Sequence, residues 1–331
     1  MGAYWSQPSP RKPAFTEADV GPQNGRVFLV TGGTSGIGFE LAKMLYRKAG
    51  RVWIAGRSPE RGQQAMCRIR KAAVPAGGGL EFLLLRLDDL NSVREAADEF
   101  TLGEWRLDVL FLNAGVFLPP PGSVSAQGFE LQLATNCLGP YLFAHMVALL
   151  LLEARLCSAP AAARIVWSSS EDAVRWSPPH GIVMDEIRHP PEDPVRSYVN
   201  SKTGNLFLAC VFARWLGRTH GIASVSADPG AASTSLFRHT RFFKYLAWAL
   251  LPGPELAANT LLYAGLSEDI TIANSGCLVV PGPKIEDNMP PDLVDAMKPR
   301  ADGGLGRADE FHSYCVVTTY RYRYGNSNEA I

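Results

Sequence analysis

The sequence predicts a doubly wound α/β fold, a single domain on a parallel sheet of about seven strands with helices on both faces. Two observations carry that prediction. Short, apolar, β-branched runs alternate with stretches of helical spacing through most of the 331 residues, as repeated βαβ units require. The first run, Arg26-Val27-Phe28-Leu29-Val30, enters the turn Thr31-Gly32-Gly33-Thr34-Ser35-Gly36-Ile37-Gly38 and then a helical pattern from Phe39 to Leu45.

A strand that turns sharply into a helix leaves the first helical N–H groups unpartnered at the positive end of the dipole, where a phosphate can bind. Gly32 and Gly36 let the chain turn and approach a pyrophosphate closely, and Gly38 lets the helix pack on the strand. The spacing Gly-x-x-x-Gly-x-Gly differs from the commonest dinucleotide fingerprint. A plain tight βα turn would use the same glycines, so the rest of the chain has to decide.

Composition narrows the partners. With 47% apolar residues the chain can bury a full core, and 32 basic against 32 acidic side chains argue against nucleic acid or an anionic membrane as the main partner. Cys67, Cys137, Cys157, Cys210, Cys277 and Cys315 lie without metal-like or paired spacing. They read as reduced thiols of a cytoplasmic protein without a metal site. Residues 1–25 read as a loose polar arm with no signal-peptide pattern. The apolar run around Met146 to Leu152, bounded by His145 and Glu153, is shorter than the roughly 20 residues of a membrane span and reads as a buried helix.

The remaining elements follow in order. Arg51 to Ala55 is the second strand, and its tip is the position that meets the adenosine ribose in a dinucleotide fold. Gly56 stands there in place of an acid and Arg57 follows. That pattern suits a phosphorylated ribose, through a forked charge-assisted contact; an arginine on a solvated turn is the alternative. Pro59 to Ala73 is a polar helix, Leu80 to Leu87 the third strand, and Leu107 to Leu112 the fourth, ending in Asn113-Ala114-Gly115. Glu130 to Ala154 reads as one long helix interrupted by Asn136 and Gly139-Pro140, through either a kink or a functional amide.

Arg164 to Ser168 is the fifth strand, followed by Ser169-Ser170 and a proline-rich loop. Tyr198 and Lys202 then open a helix four residues apart, on one face, where an ammonium can ease formation of a phenolate. Ile222 to Ala227 is the sixth strand, closed by Asp228-Pro229-Gly230. The stretch Ser233 to Trp248 carries five aromatic residues among Arg238, Arg241 and Lys244. It suits a lid over an apolar substrate at about 233–252, or a helix resting on a membrane surface. Glu255 to Ser267 is a helix and Gly276 to Val280 the last strand, closing a unit of 26–283; the segment 284–331 reads as an extension that adds no core.

Collected in order, Thr31-Gly32-x-x-x-Gly36-x-Gly38, Asn113-Ala114-Gly115, Asn136, the serines after the fifth strand, Tyr198-x-x-x-Lys202 and Pro229-Gly230-x-x-x-Thr234 make the chain resemble the short-chain dehydrogenase/reductase family, over about Arg26 to Val280. In detail it is similar to the retinol-dehydrogenase-like branch and to fungal members of it. The resemblance implies a Rossmann fold and an NAD(P)-dependent oxidoreductase. It implies Tyr198 as general acid/base, Lys202 lowering its pKa and holding the nicotinamide ribose, Asn136 in a water relay, and Ser170 on the substrate oxygen. Gly32, Thr34, Ser35, Gly36, Ile37, Gly38, Arg57, Asn113, Ala114, Gly115, Pro229, Gly230 and Thr234 would line the coenzyme.

Two positions depart from the family pattern. Arg86 stands where relatives bind the adenine amine with an Asp, so Asp88 is expected to substitute after a small shift or Arg86 to stack on the base. Ser35 stands where many NADP enzymes are basic, so the preference for NADP(H) rests mainly on Arg57. The expected substrate is a bulky apolar carbonyl or alcohol of secondary metabolism, and a homo-oligomer is compatible with the resemblance.

Overall fold

The computed structural model describes residues 14–73, 78–232 and 251–323. Its sheet runs β3-β2-β1-β4-β5-β6-β7-β8, parallel throughout except for the antiparallel β7–β8 pair. The strands are β1 (Val27–Thr31), β2 (Arg51–Gly56), β3 (Leu80–Leu84), β4 (Val109–Leu112), β5 (Arg164–Ser168), β6 (Ala223–Ala227), β7 (Leu278–Val280) and β8 (Lys284–Ile285). Every residue of β1, β4, β5 and β6 is buried, because each strand is flanked on both edges and covered on both faces.

The two faces are filled by different helices. Leu29, Leu110 and Trp167 point to the face covered by α3 (Leu90–Gly103), α4 (Leu131–Met146), α5 (Ala148–Leu156) and α8 (Pro194–Phe212). Phe28, Val30 and Phe111 point to the other, covered by α1 (Gly36–Arg47), α2 (Pro59–Ala72) and α9 (Pro254–Leu266). Two short helices, α6 (Asp172–Arg175) and α7 (Met184–Arg188), lie between β5 and α8. The chain leaves β1 in opposite directions to reach β2 and β4, so a crevice opens at the carboxyl ends of these strands, where ligands bind in open α/β sheets.

Three expectations need correction. The sheet gains β8, a two-residue strand inside the segment expected to add no core. The long helix expected over Glu130 to Ala154 is bent by 49° between Met146 and Ala148 rather than at Gly139-Pro140. Pro140 is accommodated because a π turn at Ala134–Leu138 precedes it, with Gly139 N bonded to Ala134 O. Taken singly, no helix among the described residues is long and apolar enough to cross a membrane; the bent pair Leu131–Met146 and Ala148–Leu156 passes only on length and composition.

The third correction concerns the C-terminal extension. After α10 (Pro291–Met297), helix α11 (Arg307–Arg323) lies along α8 and buries Ala308, Phe311, Cys315, Thr319 and Tyr322. Its apolar stripe continues the core of that face.

Candidate active site

The crevice holds a cavity of about 870 Å³ lined by the carboxyl ends of β1, β2, β4, β5 and β6. At β1, Gly32 (φ +70°) and Gly36 (φ +58°) take the left-handed conformation that the turn needs. A Cβ on Gly38 would stand 2.5 Å from Asn113 Nδ2 and 2.6 Å from Gly32 O, so only glycine lets α1 start this close to the strand end. Asn113 Nδ2 donates to Thr31 O at 2.9 Å, and Ala114 N donates to the Thr31 hydroxyl at 3.0 Å. The Asn113-Ala114-Gly115 segment is thus sewn to β1.

Thr34, Ser35, Gly36 and Ile37 line the cavity at the start of α1, and no side-chain cap from Ser35 covers the first turn. The donor set and the glycine cradle therefore fit a pyrophosphate at a helix N-terminus. At the tip of β2, Gly56 is followed by the exposed Arg57, and Arg61 on α2 and Arg86 after β3 line the same end. Arg61 escaped the sequence reading, although its place in the first turn after the β2 tip was a usable signal. Asp88 lines the rim 4.0 Å from the Arg86 guanidinium.

The opposite end is organised by α8. Asp193 caps it by accepting from Val195 N at 2.9 Å, and Pro194 occupies the first turn, where its missing N–H costs nothing. Tyr198 and Lys202 follow one turn apart and both line the cavity. The Tyr198 ring is set edge-on by Phe117 at 4.6 Å. The Lys202 ammonium stands 5.7 Å from the centre of that ring and donates to Ser168 O at 3.0 Å.

Asn136 is buried in the π turn. Its Oδ1 accepts from Val116 N at 2.8 Å, and its Nδ2 donates to Val116 O at 3.1 Å and to the Ser201 hydroxyl at 2.9 Å. The alternatives of kink and amide are therefore joined here: the backbone widens and the amide clamps the loop after β4 to α8. Pro140, four residues on, has no N–H to offer the Asn136 carbonyl.

The three serines are sorted by their partners. Ser168 ends β5, and its carbonyl takes both Lys202 and Asn205 Nδ2 (2.8 Å). Ser169 spends its hydroxyl on Lys202 O at 2.9 Å. The Ser170 side chain reaches the cavity beside Tyr198, and its hydroxyl donates to Asp172 Oδ2 at 3.2 Å.

Burial dominates the electrostatics of this end. Burial pushes the Tyr198 pKa up, the charges of Asp172 and Asp228 push it further, and the contact with Ser170 offsets only part of the rise. The phenol is thus held protonated rather than acidified by its lysine neighbour. Burial also brings Lys202 down to about 8, against the pull of Cys137, Asp228 and Asp172. Asp228, raised by burial to about 6, accepts from Gly230 N at 2.8 Å and Glu171 N at 3.0 Å. It ties the loop after β6 to the loop carrying Ser170, a role invisible in sequence because its partners come from separate segments. Pro229 and Gly230 line the cavity beside it. Thr234 and most of the expected lid lie outside the described residues, although Leu251 contributes to the cavity wall.

Comparison with known proteins agrees with this architecture. The family model described as short chain dehydrogenase matches residues 26–178. The short-chain dehydrogenase/reductase pkfC of Emericella nidulans is 38% identical over 277 residues, covering 82% of this chain and 88% of that protein. The short-chain dehydrogenase/reductase iacJ of Pestalotiopsis fici is 35% identical over 322 residues, covering 94% and 95%. Among solved structures, the NADPH-bound carbonyl reductase from chicken fatty liver superposes with a TM-score of 0.59 at 21% identity, covering 80% of this chain and 99% of that one. The 3-ketoacyl-(acyl-carrier-protein) reductase from Brucella melitensis complexed with NADH gives 0.59 at 19% identity, covering 78% and 96%. At these identities the structures speak for the fold alone. Together, the glycine turn, the crevice and the two fungal relatives show that this chain belongs to the short-chain dehydrogenase/reductase family of nicotinamide-dependent oxidoreductases.

Proposed function

We propose that the protein reduces a ketone on a bulky, apolar small molecule with NADPH, with Tyr198 as proton donor, Ser170 holding the carbonyl oxygen and Lys202 the nicotinamide ribose. The observation that carries this reading is the meeting of Tyr198, Ser170 and Lys202 at one end of a crevice whose other end is a glycine-lined helix N-terminus. When bound, the coenzyme supplies hydride to the carbonyl carbon. The chain does the rest. The phenol is protonated at neutral pH and can give its proton to the developing alkoxide. The Ser170 hydroxyl, beside the phenol, donates to the same oxygen. The Asn136 carbonyl, deprived of a helical donor by Pro140, suits a water that returns a proton toward Lys202.

Support for NADPH over NADH comes from the β2 tip, where Arg57, Arg61 and Arg86 gather and Gly56 stands at the strand end in place of an acid. Asp88, paired with Arg86, suits the adenine edge. Phe117, Leu118, Leu131, Trp176, Val195 and Val199 give the reacting end apolar walls that suit a bulky ring system, as the tailoring of a secondary metabolite would require. The catalytic unit in this reading is 26–283, with 233–252 as its lid. Titrating the protein with NADPH and NADH by fluorescence tests it. NADPH should bind more tightly, and Arg57→Ala should weaken NADPH by about tenfold or more while leaving NADH nearly unaffected. Equal loss for both coenzymes would reject Arg57 as the phosphate contact, and no binding of either would reject the reading.

A further inference from the structure

At the reacting end of the cavity, Asp172 is an acid that the reduction itself does not use. It is the first residue of α6, it lines the cavity, and it is half-buried. Among the described residues its carboxyl has one hydrogen-bonding neighbour, Ser170, whose hydroxyl donates to Asp172 Oδ2 at 3.2 Å and accepts from Asp172 N at 3.2 Å. The arginine nearest in sequence, Arg175, pairs instead with Glu171. The other acid at this end, Asp228, already accepts from two backbone N–H groups. Among the described residues, Asp172 therefore keeps acceptor capacity inside a pocket whose walls include the apolar Phe117, Trp176, Val195 and Val199.

A half-buried carboxyl with spare acceptors among apolar walls calls for a donor, because leaving it unpaired costs more than the hydrogen bond itself returns. Burial raises its pKa, with Ser170, Arg175 and Lys202 opposing the rise and Glu171 adding to it, so a neutral partner suits it better than exclusion from the pocket by a water shell. The position of that partner is set by Ser170. If the Ser170 hydroxyl holds the reacting carbonyl, a donor on Asp172 sits about one oxygen–oxygen contact away, the spacing of oxygens on adjacent or next-adjacent carbons.

We infer that Asp172 is a specificity-determining residue that accepts a hydrogen bond from a hydroxyl on the substrate one or two carbons from the reacting carbonyl, so that the preferred substrates are bulky α- or β-hydroxy ketones. The inference rests on the carbonyl-reductase reading above. It explains why a chamber with apolar walls carries a carboxylate beside the group that grips the substrate oxygen, where the charge opposes ionisation of Tyr198. No chemistry passes through Asp172, since it orients the substrate and rejects ketones that would leave it unpaired.

The test is a matched pair of ketones, benzoin and its deoxy analogue deoxybenzoin, followed by NADPH consumption. Wild-type protein should show a kcat/KM for benzoin at least about tenfold above that for deoxybenzoin. In Asp172→Ala the ratio should collapse toward one, and in Asp172→Asn, which keeps the shape and an acceptor oxygen, it should fall to an intermediate value. NADPH titration of each variant confirms that the crevice has formed. A wild type indifferent to the hydroxyl, or a preference that survives in both variants, overturns the inference while leaving the reductase reading intact. A wild type that binds NADPH yet reduces neither ketone counts against both.

Discussion

At the scale of single residues, the site is a set of titrating groups displaced by burial. Lys202 is a cation below about 8 and neutral above it, whereas Tyr198 stays protonated far beyond that point. The alkaline limb of ketone reduction therefore belongs to the lysine: the rate should fall as the pH rises through about 8, when the charge that holds the nicotinamide ribose is lost. Lys202→Arg, whose guanidinium keeps its proton throughout, should move that limb upward if any activity remains; an unmoved limb would assign it to another group. That Tyr198, Lys202 and Ser170 share one cavity was legible only through the resemblance, since a four-residue helical spacing is common and Ser168, Ser169 and Ser170 stand side by side. Asp172, Asp228 and Arg61 were not, since what each does depends on a neighbour brought there by the sheet. The upward push on Tyr198 is not legible in the sequence either, since it comes first from burial and then from carboxylates carried by α6 and the loop after β6.

At the scale of elements, α8 is the beam on which the reacting end is mounted, and α11 is what holds it down. A Cβ on Gly204, two residues past Lys202, would meet the Phe311 ring at 2.7 Å, so the two helices touch where the glycine leaves room. Phe311 is fully buried. Phe311→Ala should cost about 3–5 kcal/mol of stability, read as a lower urea midpoint with little change in slope. A midpoint within error of wild type would mean that α11 is not part of the cooperative core. This helix was underestimated because its buried stripe, Ala308, Phe311, Cys315, Thr319 and Tyr322, is narrow and set among arginines, tyrosines and threonines. Its 3.6-residue period was present, but no run of apolar residues announced it. The strands around the crevice, by contrast, were plain in the sequence because burial on both faces makes their centres continuously apolar.

For the molecule as a whole, the reversal of strand order at β1 decides where everything happens. It opens one crevice at the carboxyl edge and gives it an arginine-bearing end at β2 and a tyrosine-bearing end at α8. A dinucleotide laid across it would be held by the turn after β1 at one end and by Tyr198 and Lys202 at the other. The central claim is that hydride passes from such a coenzyme to a ketone whose oxygen is protonated by Tyr198. The most direct measurement is product analysis after incubation of a bulky aromatic ketone with NADPH deuterated on the transferring face of C4, for wild type and Tyr198→Phe side by side. The account predicts one deuterium at the carbinol carbon with wild type, and no product with Tyr198→Phe even though that variant still binds NADPH. Undiminished formation of deuterated alcohol by Tyr198→Phe would contradict it.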